Sequence, residues 1–373
     1  MTRAALRLLA DDLTGALDSA AAFGAGVPVH LDRPGAVDEG VAVQVVATAT
    51  RDVPADELPG LLGPCVSWLA GAGLAFKKVD SLLRGNTLAE VRWLAAAGGF
   101  RRVVFAPAFP AQGRFTLGGR LAVAPVGGSA EQAEARGVDL REALQASGWP
   151  AGCTLALPEV RSQADLARLV AGPARRETDA GPTLWCGSAG LAGAFRGRGP
   201  LPDPPPPGEG ARPDEDGPVW VIGASHQPVT RRQWARAMAA HPDAVTVRHG
   251  DAAEFDQALT RLRDASARPA LALLDLSPLT PLTPPEAAAL LHAQVQRLAA
   301  LPQGPARLLV LGGDTARALV RATGVDHLVS GQPVRPGWGQ ARWCGGGWDG
   351  LRMDGRSGAF GGDDDLLAAL RGR

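Results

Sequence analysis

LLADDLTGALDSA, Leu8–Ala20, sets two adjacent aspartates directly behind an apolar run and ahead of a threonine, a glycine and a third aspartate. The run ALRLLA reads as a buried strand, and Thr14 to Gly24 as the helix that follows it. Helix capping explains one acid, because Asp12 or Thr14 can accept the free N–H groups of the next turn. It does not explain two. Neighbouring carboxylates repel, and they become tolerable when a cation, a sugar hydroxyl or a basic side chain lies between them. Asp11 and Asp12 fall at the carboxyl end of a strand, where ligands gather in open α/β sheets.

The strand-then-helix rhythm continues outward from this point. VAVQVVAT (Val41–Thr48), LAFKKVD (Leu74–Asp80) and RVVFAPA (Arg102–Ala108) read as strands, and GPTLWCGSAGLAGAF (Gly181–Phe195) as a strand turning into a helix. Residues 197–218, GRGPLPDPPPPGEGARPDEDGP, have almost nothing to bury and read as an exposed linker. The rhythm then restarts with VWVIGAS, TRRQWARAMAA, LALLDLS, PPEAAALLHAQVQRLAAL and RLLVLGGDTARALVRATG. The expected class is α/β: two lobes with largely parallel sheets, residues 1–196 and 219–373, joined by a Pro/Gly-rich linker at 197–218.

Composition supports this and removes other classes. The 373 residues exceed the ~250–300 at which one core stops growing. Hydrophobic residues make 46% and charged residues 20%, which excludes general disorder. The 38 basic and 38 acidic residues cancel, so neither nucleic acid nor an anionic membrane is an expected partner. Cys65, Cys153, Cys186 and Cys344 form no CxxC pair, which argues against a zinc site or disulfide framework and for a reducing cytoplasm. The N-terminal apolar run meets acid too early for a signal peptide, and no uncharged apolar stretch reaches the ~18–20 residues of a membrane span.

Two further polar stretches join the first. KKVDSLLRGN, Lys77–Asn86, packs two lysines, an aspartate, a serine, an arginine and an asparagine into a strand-to-helix junction. There Arg84 can grip a carboxylate bidentately while a lysine acts as a point charge. APAFPAQGRFTLGGR, Ala106–Arg120, reads as a rigid loop with Gln112 and Arg114 as its polar tips. Three loops mixing acids with bases suit a small polyhydroxylated acid. The second lobe carries VLGGDTARAL (Val310–Leu319) and GRSGAFGGDDD (Gly355–Asp365), glycine turns whose backbone amides can cradle phosphate, though neither is a Walker A loop or GxGxxG. GASHQPVTRRQ (Gly223–Gln233) adds Ser225, for which ordinary N-capping is the alternative.

These motifs, in this order, resemble the four-carbon acid sugar kinases, which phosphorylate tetronates with ATP. ADDLTGALDSA, KKVDSLLRGN and PAFPAQGRFTLGGR are similar to the family's sugar-binding motifs, with GSAGLA (Gly187–Ala192) near that domain's end. GASHQPVTRRQ, GGDTARA and RSGAFGG are similar to motifs of its nucleotide-binding domain. The chain departs from the family at Leu82, Phe115, Asp314 and Arg356–Gly361, and the segment after Arg120 lacks the usual His and Asp-Pro pair.

The resemblance implies an ATP-dependent kinase that uses Mg²⁺. Arg84 with Lys77 or Lys78 would hold the acceptor's carboxylate. Asp11, Asp80, Ser81 and Gln112, with Arg114 nearby, would read its hydroxyls, and Asp12 would act as general base. Ser225, Gly312, Gly313, Asp314, Thr315, Arg356, Ser357 and Gly358 would line the ATP site, with Asp314 the candidate magnesium ligand. Closure of the lobes about the linker would exclude water. A homo-oligomer is left open. A catalytically weakened sugar-acid sensor and a dinucleotide-binding α/β enzyme are the alternatives.

Overall fold

A computed structural model describes residues 6–35, 41–146, 148–172, 181–196, 217–264, 269–332, 337–358 and 360–371. The chain divides into two compact units, Met1–Pro205 and Pro206–Arg373. The expected linker lies outside the described residues except for Gly217 and Pro218, as does Ala359.

In the first unit the elements run β1 (Leu6–Ala10), α1 (Leu13–Ala21), β2 (Pro28–Leu31), β3 (Val43–Ala47), α2 (Leu58–Ala70), β4 (Leu74–Lys78), α3 (Thr87–Ala97) and β5 (Arg102–Ala106). They continue through β6 (Arg114–Leu117), β7 (Arg120–Val123), β8 (Glu134–Arg136), α4 (Leu140–Leu144), β9 (Thr154–Ala156), α5 (Gln163–Ala171), β10 (Thr183–Gly187) and α6 (Ala189–Phe195). Seven strands form a sheet in the order β2-β3-β1-β4-β10-β5-β9, every neighbouring pair parallel. Leu6, Leu8, Leu9 and Ala10 are fully buried, as a central parallel strand covered by helices on both faces requires. Register then builds the rim: Ala10 pairs with both Ala47 and Lys78, so the chain leaves β1, β3 and β4 at one level, about 4.8 Å apart.

The expected loop over Ala106–Arg120 is instead the start of a small antiparallel sheet, β6-β7-β8, turning at Gly118–Gly119. Four-residue strands with basic ends and glycines between them hide the alternation that marks a hairpin.

In the second unit the order is β11 (Val219–Gly223), α7 (Pro228–Ala240), β12 (Val245–Val247), α8 (Ala252–Arg263), β13 (Leu271–Asp275), α9 (Pro284–Ala299) and β14 (Arg307–Leu311). Then come α10 (Gly313–Ala322), β15 (His327–Ser330), β16 (Gly339–Cys344), β17 (Arg352–Arg356) and α11 (Asp365–Arg371). The strand order is β12-β13-β11-β14-β17-β16-β15, parallel through β17, with β16 antiparallel to both of its neighbours. Gly223 is level with Asp275 and Leu311, and Leu311 with Arg356, so four loops leave this sheet side by side. None of the described helices is long and apolar enough to cross a membrane.

Alternation along β4 corrects one expectation. Successive side chains of a strand point to opposite faces, so Lys77 and Lys78 cannot share a site. Lys77 is fully buried and pairs with Glu90 of α3 at 2.5 Å, which makes it part of the β4–α3 packing rather than a grip on a ligand. Lys77→Met strands a buried carboxylate and should lose about 3–5 kcal/mol in urea unfolding, whereas Lys77→Met with Glu90→Leu should recover most of it.

Candidate active site

The rim of the first unit is held by one side chain that the sequence reading passed over. Arg51, three residues past Thr48, donates from Nε to Asp11 Oδ2 at 2.8 Å and from Nη1 to Asp12 Oδ2 at 2.9 Å. Its Nη2 lies 3.8 Å from Asp80 Oδ1. The carboxylates of two different loops are therefore joined through one guanidinium, which is the positive group that the doubled aspartate called for. Arg51 is fixed in turn by the loop after β4. Asn86 donates to the carbonyls of Thr50 and Val53 at 2.9 and 2.7 Å. A Cβ on Gly85, whose φ is +65°, would lie 2.1 Å from the Arg51 carbonyl oxygen. Only glycine permits that approach.

Asp12 does two things. It caps α1, its Oδ1 accepting from the Gly15 N–H at 2.9 Å, and it presents Oδ2 to Arg51 and to the Thr14 hydroxyl at 2.7 Å. The capping reading of the motif is correct, and it leaves room for a second role. Burial pushes the Asp12 carboxyl up, but Arg51, Lys78, Thr14 and Gly15 together hold it below the usual carboxylate range. Asp11 is buried, and its Oδ1 has no hydrogen-bond partner among the described residues, an acceptor suited to a ligand hydroxyl. Lys78 comes off the opposite face of β4 from Lys77, its Nζ only 2.7 Å from where a Cβ on Gly15 would sit.

Asp80 takes a bidentate grip from Arg84, 2.7 Å from Nη2 and 2.9 Å from Nε, and accepts from the Leu82 and Arg84 amides. Burial acts to raise its pKa, but Arg84 and Arg51 outweigh that and drive it far below the ordinary value. The guanidinium of Arg84 remains more than a third exposed, so it can meet an incoming anion as well. Ser81 stands half-buried beside Asp80 in the turn. Gln112 is buried, and its backbone carbonyl accepts from Arg114 Nη1. Arg114 sits near enough to Asp80 and Arg84 to feel both charges, with burial the larger influence, lowering its pKa. The three motifs thus face one cup.

The second unit's rim carries the other set. Helix α10 starts at Gly312–Gly313, and its N-cap, a glycine, supplies no side-chain cap. Asp314 is exposed there, and Thr315 is buried beneath. A Cβ on Gly358 would lie 2.2 Å from Ser225 Oγ, so glycine is required for these two loops to meet. The Thr230 hydroxyl donates to the Gly358 carbonyl.

Arg356 departs from expectation. It is buried, lies 5.2 Å over Trp338, pairs with Asp365 at 3.2 Å, and donates to Gln233 and to the carbonyls of Ser357 and Phe360. Burial lowers its pKa to about 10, with Asp365 opposing. Its charge shapes the loop around Gly358 instead of pointing at a ligand.

Asp18, the third aspartate of the opening motif, was also passed over as a site residue. Burial pushes its carboxyl up to about 6, Lys78 opposing and Asp12 adding to the rise. A carboxyl raised from 3.8 stabilises the fold below pH 4 and loses that contribution as pH climbs through about 6. Asp18→Asn should therefore raise the melting temperature at pH 7.5, by about 2–4 °C for each kcal/mol relieved. The gain over wild type should vanish near pH 4 in matched thermal scans.

Comparison with known proteins follows the same division. A sugar-binding N-terminal domain matches residues 6–138 and a nucleotide-binding C-terminal domain matches residues 220–366. A D-threonate kinase of Cupriavidus necator is 29% identical, with 88% of each chain covered. A D-threonate kinase of Salmonella typhimurium is 36% identical over 31% of this chain and 29% of its own. Among solved structures, a Salmonella typhimurium LT2 protein, solved under the label tRNA synthase, is 20% identical and covers 98% of both chains with a TM-score of 0.71. A Haemophilus influenzae protein, 18% identical, covers 98% of this chain and 99% of its own with a TM-score of 0.64. At such identities the structural likeness shows the fold. The two domain matches, in order and together spanning most of the chain, with relatives named as D-threonate kinases, show that this chain belongs to the four-carbon acid sugar kinase family.

Proposed function

We propose that the protein transfers the γ-phosphoryl group of ATP to a hydroxyl of a four-carbon sugar acid, with D-threonate, named for its relatives, the first acceptor to test. The observation that carries this reading is the cup itself: charge-paired aspartates able to take sugar hydroxyls, beside a buried Lys78 and a partly exposed Arg84 able to take a carboxylate.

Arg84 and Lys78 hold the acceptor's carboxylate, while Asp11 Oδ1, Asp80, Ser81 and Gln112 read its hydroxyls, with Arg114 adding positive charge. The acceptor oxygen forms its bond to the γ-phosphorus as the bond to the bridging oxygen breaks, and ADP leaves with that electron pair. The hydroxyl proton passes to Asp12. An aspartate held at low pKa is a weak base, which suits a loose transition state in which the proton leaves late and orientation matters most. The helix start at Gly312–Gly313 and the Ser225–Gly358 contact support a phosphate-binding role for that rim.

Among the described residues no group of three or more His, Cys, Asp or Glu could hold a metal ion. Asp314 would thus be a lone carboxylate ligand to magnesium carried in on the nucleotide. When bound, magnesium neutralises charge on the phosphate oxygens.

Enzyme-linked ADP release over a panel of D- and L-tetronates tests the reading, and turnover with none of them would remove the substrate class. Asp12→Asn should fold and lose about 10²–10⁴ of kcat, the usual contribution of a general base. Arg84→Ala should act mainly on KM, raising it about tenfold or more for loss of a charged grip.

A further inference from the structure

The small antiparallel sheet of the first unit gives the cup a face that the proposed mechanism leaves largely unused. In its register Thr116 pairs with Leu121 and Leu121 with Arg136, while Arg114 pairs with Val123 and Val123 with Glu134. Cross-strand partners share a face, so Arg114, Thr116 and Arg136 point to one side. Phe115 and Ala122, paired with each other, point to the opposite side and pack with Ala124 and Ala130. Two strand intervals separate β6 from β8, about 10 Å, which two arginine side chains reaching towards each other can close.

The backbone fixes these positions. Arg114 exchanges both of its amide hydrogen bonds with Phe109, at 2.9 and 3.1 Å, and Thr116 does the same with Val160, at 3.0 Å each. The carbonyl just after Arg136, that of Gly137, accepts from Arg120 Nη1 at 2.9 Å.

The face carries positive charge that the protein itself does not balance. Arg84 has Asp80, but neither Arg114 nor Arg136 makes an ion pair within 4.0 Å among the described residues, and Glu134 on the same face pairs with neither. Arg114 reaches only the Gln112 backbone carbonyl, and its Nε is buried without a hydrogen-bond partner, as is the Thr116 hydroxyl. Burial is the largest influence lowering the Arg114 pKa, and the charges of Arg84 and Arg136 add to it against Asp80. Crowded guanidiniums with a donor unspent are the setting in which an anion is held.

We propose that this face receives a second carboxylate, so that the preferred acceptor is a four-carbon sugar acid with a carboxylate at each end, one held by Arg84 and Lys78 and the other by Arg114 and Arg136. The assignment rests on the kinase reading and narrows its acceptor, and the transfer step is unchanged. Two guanidinium forks match a planar carboxylate, whereas the neutral hydroxymethyl end of a tetronate would leave both arginines without an anion.

Enzyme-linked ADP release by the full-length protein, with D-, L- and meso-tartrate set beside the threonates and erythronates, tests this. The kcat/KM for the best tartrate should exceed that for the best tetronate roughly tenfold or more, as a charge-assisted contact supplies. Arg136→Gln should cut that ratio by about the same factor, acting through the KM for tartrate, and Arg136→Lys should restore part of it. Arg136 is exposed, so both variants should fold. Tetronates turned over as well as every tartrate, or a ratio unchanged in Arg136→Gln, would overturn the second carboxylate and leave the kinase reading standing. Turnover of neither series would overturn the kinase reading, and this assignment with it.

Discussion

Arg51 is the constraint on which the first unit's site depends. Two unit charges 4 Å apart interact at about 4 kcal/mol near a protein surface, so Asp11, Asp12 and Asp80 brought together bare would push apart or take up protons. One guanidinium with hydrogen bonds to two of them and a longer ion pair to the third turns that repulsion into cohesion. Burial works against the charge on Arg51, but Asp12 and Asp11 more than offset it and raise its pKa. Gly85 and Asn86 then set Arg51's backbone. The RGN of the second motif thus supports the aspartates of the first. With Arg84 and Lys78 added, three carboxylates stand against three cations.

The second unit follows the same principle. A buried Arg356, surrounded by carbonyl oxygens, Gln233 and Asp365, shapes the loop that brings Gly358 against Ser225. In both units a largely enclosed cation sets the form of a rim, and in the first the groups able to meet a ligand are the exposed edge of Arg84 and the unsatisfied Oδ1 of Asp11.

Much of this was legible in the chain. LRLLA followed by paired aspartates announced a buried parallel strand with a polar rim, and the convergence of the three N-terminal motifs is real. Lys77 could have been separated from Lys78 by the two-residue period of the strand alone. Arg51 escaped because ATATRDVP has no motif-like density of charge, although its place just past Val41–Thr48, on the same sheet edge, was the available signal. Strand β17, RMDGR, is polar enough to read as loop, and it is a strand because Asp354 finds Arg307 at 2.7 Å and Gln340 at 2.9 Å across its neighbours.

The brace formed by Arg51 can be measured through pH. With Arg51 in place, the folded carboxylates of Asp12 and Asp80 titrate below their unfolded values, so the stability they contribute is present above about pH 4 and is lost as pH falls. In Arg51→Met those carboxylates are left facing one another and their pKa values rise. Urea unfolding of both proteins from pH 3 to pH 7 should give a stability deficit for the variant that is small in acid and widens as the carboxylates ionise. A deficit that stays constant across that range would contradict the account, because it would mean that Arg51 contributes packing and not the charge that holds the cup together.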